Sequence, residues 1–157
     1  MEQIVITIDG YSSCGKSTLA KDLAKALNYK YVDTGAMYRA VTLYFLENEV
    51  NPDSKQAVED ALNHISIDFS YAPNSGEQVT FLNGQEVEEA IRSFRVSANV
   101  SEISAIREVR EKMVEQQQNF GKEKGIVMDG RDIGTVVFPK AEFKIFLTAS
   151  QPVRIKR

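Results

Sequence analysis

Gly10-Tyr11-Ser12-Ser13-Cys14-Gly15-Lys16-Ser17-Thr18 has the spacing G-x-x-x-x-G-K-[ST], the pattern of a loop that cradles phosphate. Each residue type has a task in that chemistry. The glycines let the backbone turn tightly, so that several N–H groups point at one place, and a helix opening there adds partial positive charge. Lys16 supplies a mobile full charge for β- and γ-phosphates, and the Ser17 hydroxyl can reach a Mg²⁺ ion. A Gly/Ser-rich turn could carry the same letters by chance, so the flanking elements decide. Ile4-Val5-Ile6-Thr7-Ile8 reads as a buried strand. Residues 18–27 read as a helix with Leu19, Leu23 and Leu27 on one face. Strand, glycine loop and helix in that order are the context the pattern requires, and they imply that the chain binds a nucleoside triphosphate through Gly10 to Thr18; should a phosphoryl transfer follow, Lys16 is the catalytic candidate.

Further residues of chemical interest follow strand ends. Asp129 closes the apolar run Gly125-Ile126-Val127-Met128 and fits the acid that steadies Mg²⁺ or its waters; otherwise it caps a turn. Arg131 and Asp132 come directly after it, and Arg39 lies one helical turn past Thr34, near Tyr38. Arginines beside a phosphate site grip phosphate bidentately and offset charge during transfer. A single such arginine is usually a solvated surface charge, but two on cleft-facing segments are harder to dismiss. Ser101 and Arg110, taken alone, read as surface polar residues. Glu108, Arg110, Glu111, Lys112 and Glu115 form a charged helix face with pairs three and four apart. Arg154 and Arg157 share a face of the last helix and point either at a nucleotide or at water. Cys14, inside the loop, reads as a small tolerated residue rather than a reactive thiol, and His64 as a surface or cap residue.

These residues need a scaffold. Residues 29–33 read as a second strand, 36–48 as a helix bearing Met37, Val41, Tyr44 and Phe45, and 54–64 as a third helix. The alternation Ile65, Ile67, Phe69, Tyr71 then marks a half-buried strand. Pro73-Asn74-Ser75-Gly76 is a turn, and Asn83-Gly84 between two short strands is a hairpin signal. Helices return over 88–103 and 105–120, followed by strands ending at Asp129 and over 143–147, and Ser150 with Pro152 opens a last helix. Alternating strands and helices predict an α/β fold, a parallel sheet with helices on both faces, interrupted by a small antiparallel β-hairpin insertion at about 65–87. Ligands of such sheets bind at the carboxyl ends of the strands, where the loop, Asp33-Thr34-Gly35 and Asp129-Gly130-Arg131-Asp132 all fall.

With 157 residues the chain is one domain with an insertion, long enough for a real core. A hydrophobic share of 43% and a net charge of −3 suit a soluble protein and disfavour a nucleic-acid surface. One cysteine forms no internal disulfide and suits a reducing compartment. One cysteine and one histidine build no metal cluster. Met1-Glu2-Gln3 has no basic leader segment, and no apolar run is long enough for a membrane span.

Two segments carry a specific resemblance. Val32-Asp33-Thr34-Gly35-Ala36-Met37-Tyr38-Arg39 and the run from Asp129-Gly130-Arg131-Asp132 through Ile133-Gly134-Thr135-Val136-Val137-Phe138-Pro139 resemble signature segments of bacterial cytidylate kinases. Ile6-Thr7-Ile8-Asp9-Gly10 and 144–150 are similar to that family too, and the resemblance covers essentially the whole chain. It implies a phosphate-loop nucleoside monophosphate kinase core over 1–33 and 125–157, with a monophosphate-binding region over 34–124 that holds the β insertion. It implies ATP as phosphoryl donor, Mg²⁺ held by Ser17 and Asp129, and CMP and dCMP as acceptors. By the same resemblance Arg39 and Arg131 hold the acceptor phosphate beside Thr34, Tyr38 and Gly130, with Arg131 also catalytic. The resemblance also implies that Ser101, Arg110 and Asp132 read the base; Arg154 and Arg157 are assigned to the nucleotide donor from their shared helix face alone. The base assignment makes chemical sense. A carboxylate at Asp132 accepts from the cytosine amino group while Arg110 donates to N3 or O2; uracil reverses that edge. Thr34 departs from the serine common at its position but keeps the hydroxyl. The family pattern runs on past Arg157, so the lid and last strand are expected to lie outside this sequence. The resulting expectation is a cytoplasmic enzyme, monomeric at full length, with small-molecule substrates and neither nucleic-acid nor membrane partners. The rival readings are a UMP/CMP kinase of broader specificity, a non-catalytic nucleotide-binding module, and a GTPase-type switch, for which no guanine-reading Asn-Lys-x-Asp segment exists.

Overall fold

Strand β1 (Val5–Gly10) is buried along its whole length, as a central strand of a parallel sheet must be. The computed structural model describes residues 2–156, apart from the side chains of Val153, Arg154 and Lys156. Helix α1 (Lys16–Leu27), β2 (Lys30–Asp33), β6 (Ile126–Gly130) and β7 (Phe143–Leu147) complete the frame around β1. The four strands lie in the order β2-β6-β1-β7, all parallel. Register places Ile8 opposite Asp129, Asp33 opposite Asp129 and Asp9 opposite Gly130. The carboxyl ends of the strands are therefore level.

Alternation along β1 divides its side chains between two faces. Ile6 and Ile8 join Ala20, Ala24, Tyr31 and Val127 in a core under α1. The expected leucine stripe of α1 is only partly used. Leu23 packs on this core, but Leu19 and Leu27 are over a third exposed, and the face against the sheet is Ala20 and Ala24. Alanine lets the helix backbone approach the strands closely, where leucine would hold it off. On the opposite face, Thr7 and Asp9 meet a π-helical turn, Ile133–Val137, that the sequence did not announce.

The chain divides into two units, one of Met1–Thr34 with Val114–Arg157 and one of Gly35–Met113. Helix α2 (Thr34–Glu47) begins directly at the end of β2 and from Gly35 onward belongs to the second unit, where α3 (Lys55–Leu62) starts at Ser54, whose hydroxyl accepts from the Ala57 N–H. His64 follows α3, exposed, with Nδ1 2.7 Å from the Asp60 carbonyl oxygen.

The expected hairpin is a three-stranded antiparallel sheet of β3 (Ile67–Tyr71), β4 (Gln78–Leu82) and β5 (Gln85–Glu86). Asn83 and Gly84 both have positive φ, as the two-residue turn between β4 and β5 demands. The helix expected over 88–103 is broken into α4 (Glu88–Ile91) and α5 (Phe94–Ser104). Ser93 is extended and its side chain accepts from the Val96 N–H, a local bond that ends one helix and starts the next. Helix α6 (Arg107–Phe120) buries Val109 and Met113, and α7 (Gln151–Lys156) is the last described element. No helix among the described residues is long and apolar enough to cross a membrane.

Candidate active site

The loop after β1 has the backbone its glycines predict. Ser13 (φ 60°) and Gly15 (φ 91°) are both in the left-handed region, a curl that turns successive N–H groups inward. Gly15 is the residue before α1, which has no side-chain cap and no acid in its first turn. Those first N–H groups remain available to an anion, and none of the helix's own carboxylates competes for them. Lys16 curls back over the loop, its Nζ donating to the Tyr11 carbonyl at 3.0 Å. Ser12 and Thr18 are exposed, and Cys14 is buried, its sulfur against Gly10. Burial makes Cys14 a packing residue of the loop, in keeping with its reading as a small tolerated side chain.

Three strand ends meet beside the loop. Ser17 Oγ donates to Asp129 Oδ2 at 2.9 Å, and Tyr31 Oη donates to Asp129 Oδ1 at 2.8 Å. The Thr34 hydroxyl donates to the Asp129 carbonyl oxygen at 2.7 Å, tying the end of β2 to that of β6. Asp129 is 4% exposed. Burial, and then the charge of Asp33, push its carboxyl up to about 6; the Tyr31 and Ser17 hydrogen bonds and the Lys16 charge oppose the rise. Tyr31 is held far above the ordinary phenol range by burial first, then by the charges of Asp33 and Asp129. A buried carboxylate beside a second carboxylate and a serine hydroxyl is a local excess of negative charge, which a cation would relieve.

The donor set suits Mg²⁺: two hard oxygens from Ser17 and Asp129, leaving the other positions to water and phosphate. Among the described residues no group of three His, Cys, Asp or Glu side chains is placed to hold a metal ion by itself.

Arg131 follows β6 and reaches the loop directly, its Nη2 donating to Ser12 Oγ at 2.7 Å. Gly130 is the last residue of β6. Asp132 is half-buried just before the π-helical turn. In the first unit, then, Ser12, Lys16, Ser17, Thr34, Asp129 and Arg131 are linked by hydrogen bonds within or around the loop.

The remaining candidates belong to the second unit. Arg39 Nη1 donates to the Ile91 carbonyl at 3.1 Å and to Ser97 Oγ at 2.8 Å, so the ends of α4 and α5 orient its guanidinium. Tyr38 is half-buried on α2. Ser101 and Arg110 are exposed on α5 and α6. On the charged face of α6, Arg107 pairs with Glu111 at 2.8 Å. Arg157 lies outside the described residues, and of Arg154 only the backbone, within α7, is described. An open cavity of about 580 Å³ lined by Leu43, Tyr44, Glu47, Leu82 and Glu86 contains none of the candidate residues.

Sequence reasoning missed Tyr31, Ser97 and Asp9 as members of these networks. Tyr31 shares a strand face with Asp33, two residues on, and that period was its signal. Ser97 gives no signal short of the three-dimensional fold. Asp9, an acid inside an apolar strand, was conspicuous, yet the turn it holds is 124 residues away.

The comparisons agree with this architecture. The cytidylate kinase family model matches residues 6–157. A cytidylate kinase of Phocaeicola vulgatus is 56% identical over 160 residues, taking in all of this chain and 70% of that protein. One from Bacteroides thetaiotaomicron is 57% identical, with the same coverage. One from Cytophaga hutchinsonii is 54% identical over 157 residues, 67% of its length. Such identity along the entire chain, on a phosphate loop and strand-end acids arranged as a kinase needs them, leaves one assignment: the chain belongs to the cytidylate kinase family.

Proposed function

We propose that the protein transfers the γ-phosphoryl group of ATP to the phosphate of CMP or dCMP, giving ADP and CDP or dCDP. The observation that carries this reading is the bond from Arg131 to Ser12, which joins the segment after β6 to the phosphate loop at the level of Ser17 and Asp129. The relatives' name, cytidylate kinase, supports the choice of acceptor.

The acceptor phosphate is already an anionic nucleophile, so no strong general base is required. Catalysis is positioning and charge neutralisation. Loop N–H groups and the first turn of α1 hold the donor phosphates, and Lys16 exchanges the Tyr11 carbonyl for their oxygens. When bound, Mg²⁺ neutralises charge on those phosphates, with Ser17 and Asp129 as its protein ligands. Arg131 leaves Ser12 for phosphate, and Arg39 grips the acceptor from α2 beside Tyr38. Thr34, its proton committed to the Asp129 carbonyl, braces the strand ends. Asp132, Arg110 and Ser101 read the amino, N3 and O2 edge of cytosine. The reading is of a cytoplasmic, small-molecule enzyme, monomeric at full length, and it draws on the net charge of −3 and the single cysteine.

ADP release from ATP, followed by a coupled assay with and without CMP, tests it. Release is expected to require both CMP and Mg²⁺, and Lys16→Ala is expected to lower turnover by on the order of 10²-fold or more. ADP release indifferent to CMP, or a Lys16→Ala enzyme of near-normal rate, would overturn the reading.

A further inference from the structure

Asp9 is a carboxylate only 7% exposed, on the sheet face opposite Asp129, and it takes no part in the phosphate loop or its metal ligands. Its two oxygens are used on backbone. Oδ1 accepts from the Ile133 N–H at 2.8 Å and Oδ2 from the Gly134 N–H at 2.7 Å. Both are charge-assisted bonds in a buried setting, the strong kind. Gly134 permits the approach. A Cβ there would lie 2.8 Å from Thr7 Oγ1 and 3.2 Å from Asp9 Oδ2.

Only Arg131 and Asp132 separate Gly130 from Ile133. Gly130 is fixed by its pairing with Asp9, and the Asp129 carbonyl just before it by Thr34. The two-residue span is thus clamped at both ends, and one residue, Asp9, takes part in both clamps. Asp9 also immediately precedes Gly10, where the phosphate loop begins.

We propose that Asp9 is a positioning residue for the acceptor: its carboxylate, by holding the Ile133 and Gly134 N–H groups, sets where Arg131 and Asp132 present their side chains to CMP. This rests on the reading of Arg131 and Asp132 as acceptor contacts. Asparagine has the same shape but only one acceptor oxygen, and its amide NH₂ would face a second N–H. Asp9→Asn therefore releases one end of the span with little change in packing.

The test uses the natural-length enzyme with Asp9→Asn, Asp9→Ser and Asp132→Ala. The readouts are CMP affinity without ATP, MgATP affinity, kcat/KM for CMP and UMP, and thermal unfolding. Asp9→Asn is expected to weaken CMP binding by roughly tenfold to a hundredfold, as displacement of a binding group by about 1 Å does. It should also erode the preference for CMP over UMP in the direction of Asp132→Ala, while MgATP affinity changes by less than about threefold. Asp9→Ser, which keeps an acceptor oxygen in a smaller side chain, supplies the same comparison if Asp9→Asn does not fold. Unaltered CMP binding with only a lower unfolding temperature, equal losses for CMP and MgATP, or failure of both variants to fold would each overturn the inference. If Asp132→Ala itself leaves CMP binding and preference unchanged, the acceptor reading fails, and this inference with it. If Asp132→Ala behaves as expected and Asp9→Asn does not, only the role of Asp9 fails.

Discussion

Asp129 answers two demands that conflict. In the role proposed for it a carboxylate is needed to hold a cation, yet burial and Asp33 make the charged form costly in the metal-free protein, raising its pKa from 3.8 to about 6. A carboxyl raised in the folded state stabilises the fold most below its unfolded value. That contribution is fully present below about pH 4 and is lost as the pH climbs through 6. Above pH 7 the metal-free protein therefore carries a penalty on the order of 2–3 kcal/mol at this one site. Asp129→Asn is expected to raise metal-free stability at pH 8 by about 1–3 kcal/mol, read by urea unfolding, while turnover with Mg²⁺ collapses. A variant that is less stable than the parent at pH 8 would show that the carboxylate is not penalised. The same titration predicts that apparent Mg²⁺ affinity falls as the pH drops below about 6, because binding must displace a proton. Mg²⁺ affinity independent of pH between 5 and 8 would contradict that. Asp129 was legible in the sequence because an acid ending an apolar strand is conspicuous. Tyr31, which donates to it, was not, because a tyrosine in a strand reads first as packing.

Among elements, the π-helical turn Ile133–Val137 depends least on its own sequence. It is five residues long, too short for helical periodicity to show, and its first N–H groups are held by a side chain of a distant strand. Gly134→Ala tests that dependence. The added methyl would press on Thr7 Oγ1 at 2.8 Å and Lys144 Cδ at 3.3 Å. Buried overpacking of this kind costs about 1–3 kcal/mol, and the loss is expected in urea unfolding together with weaker CMP binding. A Gly134→Ala protein of unchanged stability would mean that the turn adjusts freely. Local signals sufficed where local physics decides: the strand, loop and helix around Gly15, the Asn83-Gly84 turn, and the Ser54 cap. They misled where tertiary packing decides. The leucine spacing of α1 suggested one apolar face, but closeness to the sheet selected Ala20 and Ala24. The run over 88–103 looked continuous because Ser93 is tolerable inside a helix, and its side chain instead caps Val96.

At the scale of the whole molecule, a parallel sheet collects what the chain scatters. Residues near positions 10, 33 and 130 come together because β1, β2 and β6 are adjacent and end level, which alternation of strands and helices foretold. The family was legible from the two segments that carry Arg39 and Arg131, and the match over residues 6–157 bears it out. Arg39, Ser101 and Arg110 lie in the other unit, so their service to one substrate is a claim about function, and specificity is its sharpest expression. A site built to pair the cytosine edge leaves polar groups unpaired or opposed when uracil replaces it, a difference above about 1 kcal/mol. The most direct measurement is the ratio of kcat/KM for CMP to that for UMP, with MgATP saturating, in the natural-length enzyme. The account predicts a ratio of at least about ten, reduced toward one by Asp132→Ala. Equal use of CMP and UMP by the unmodified enzyme would contradict it.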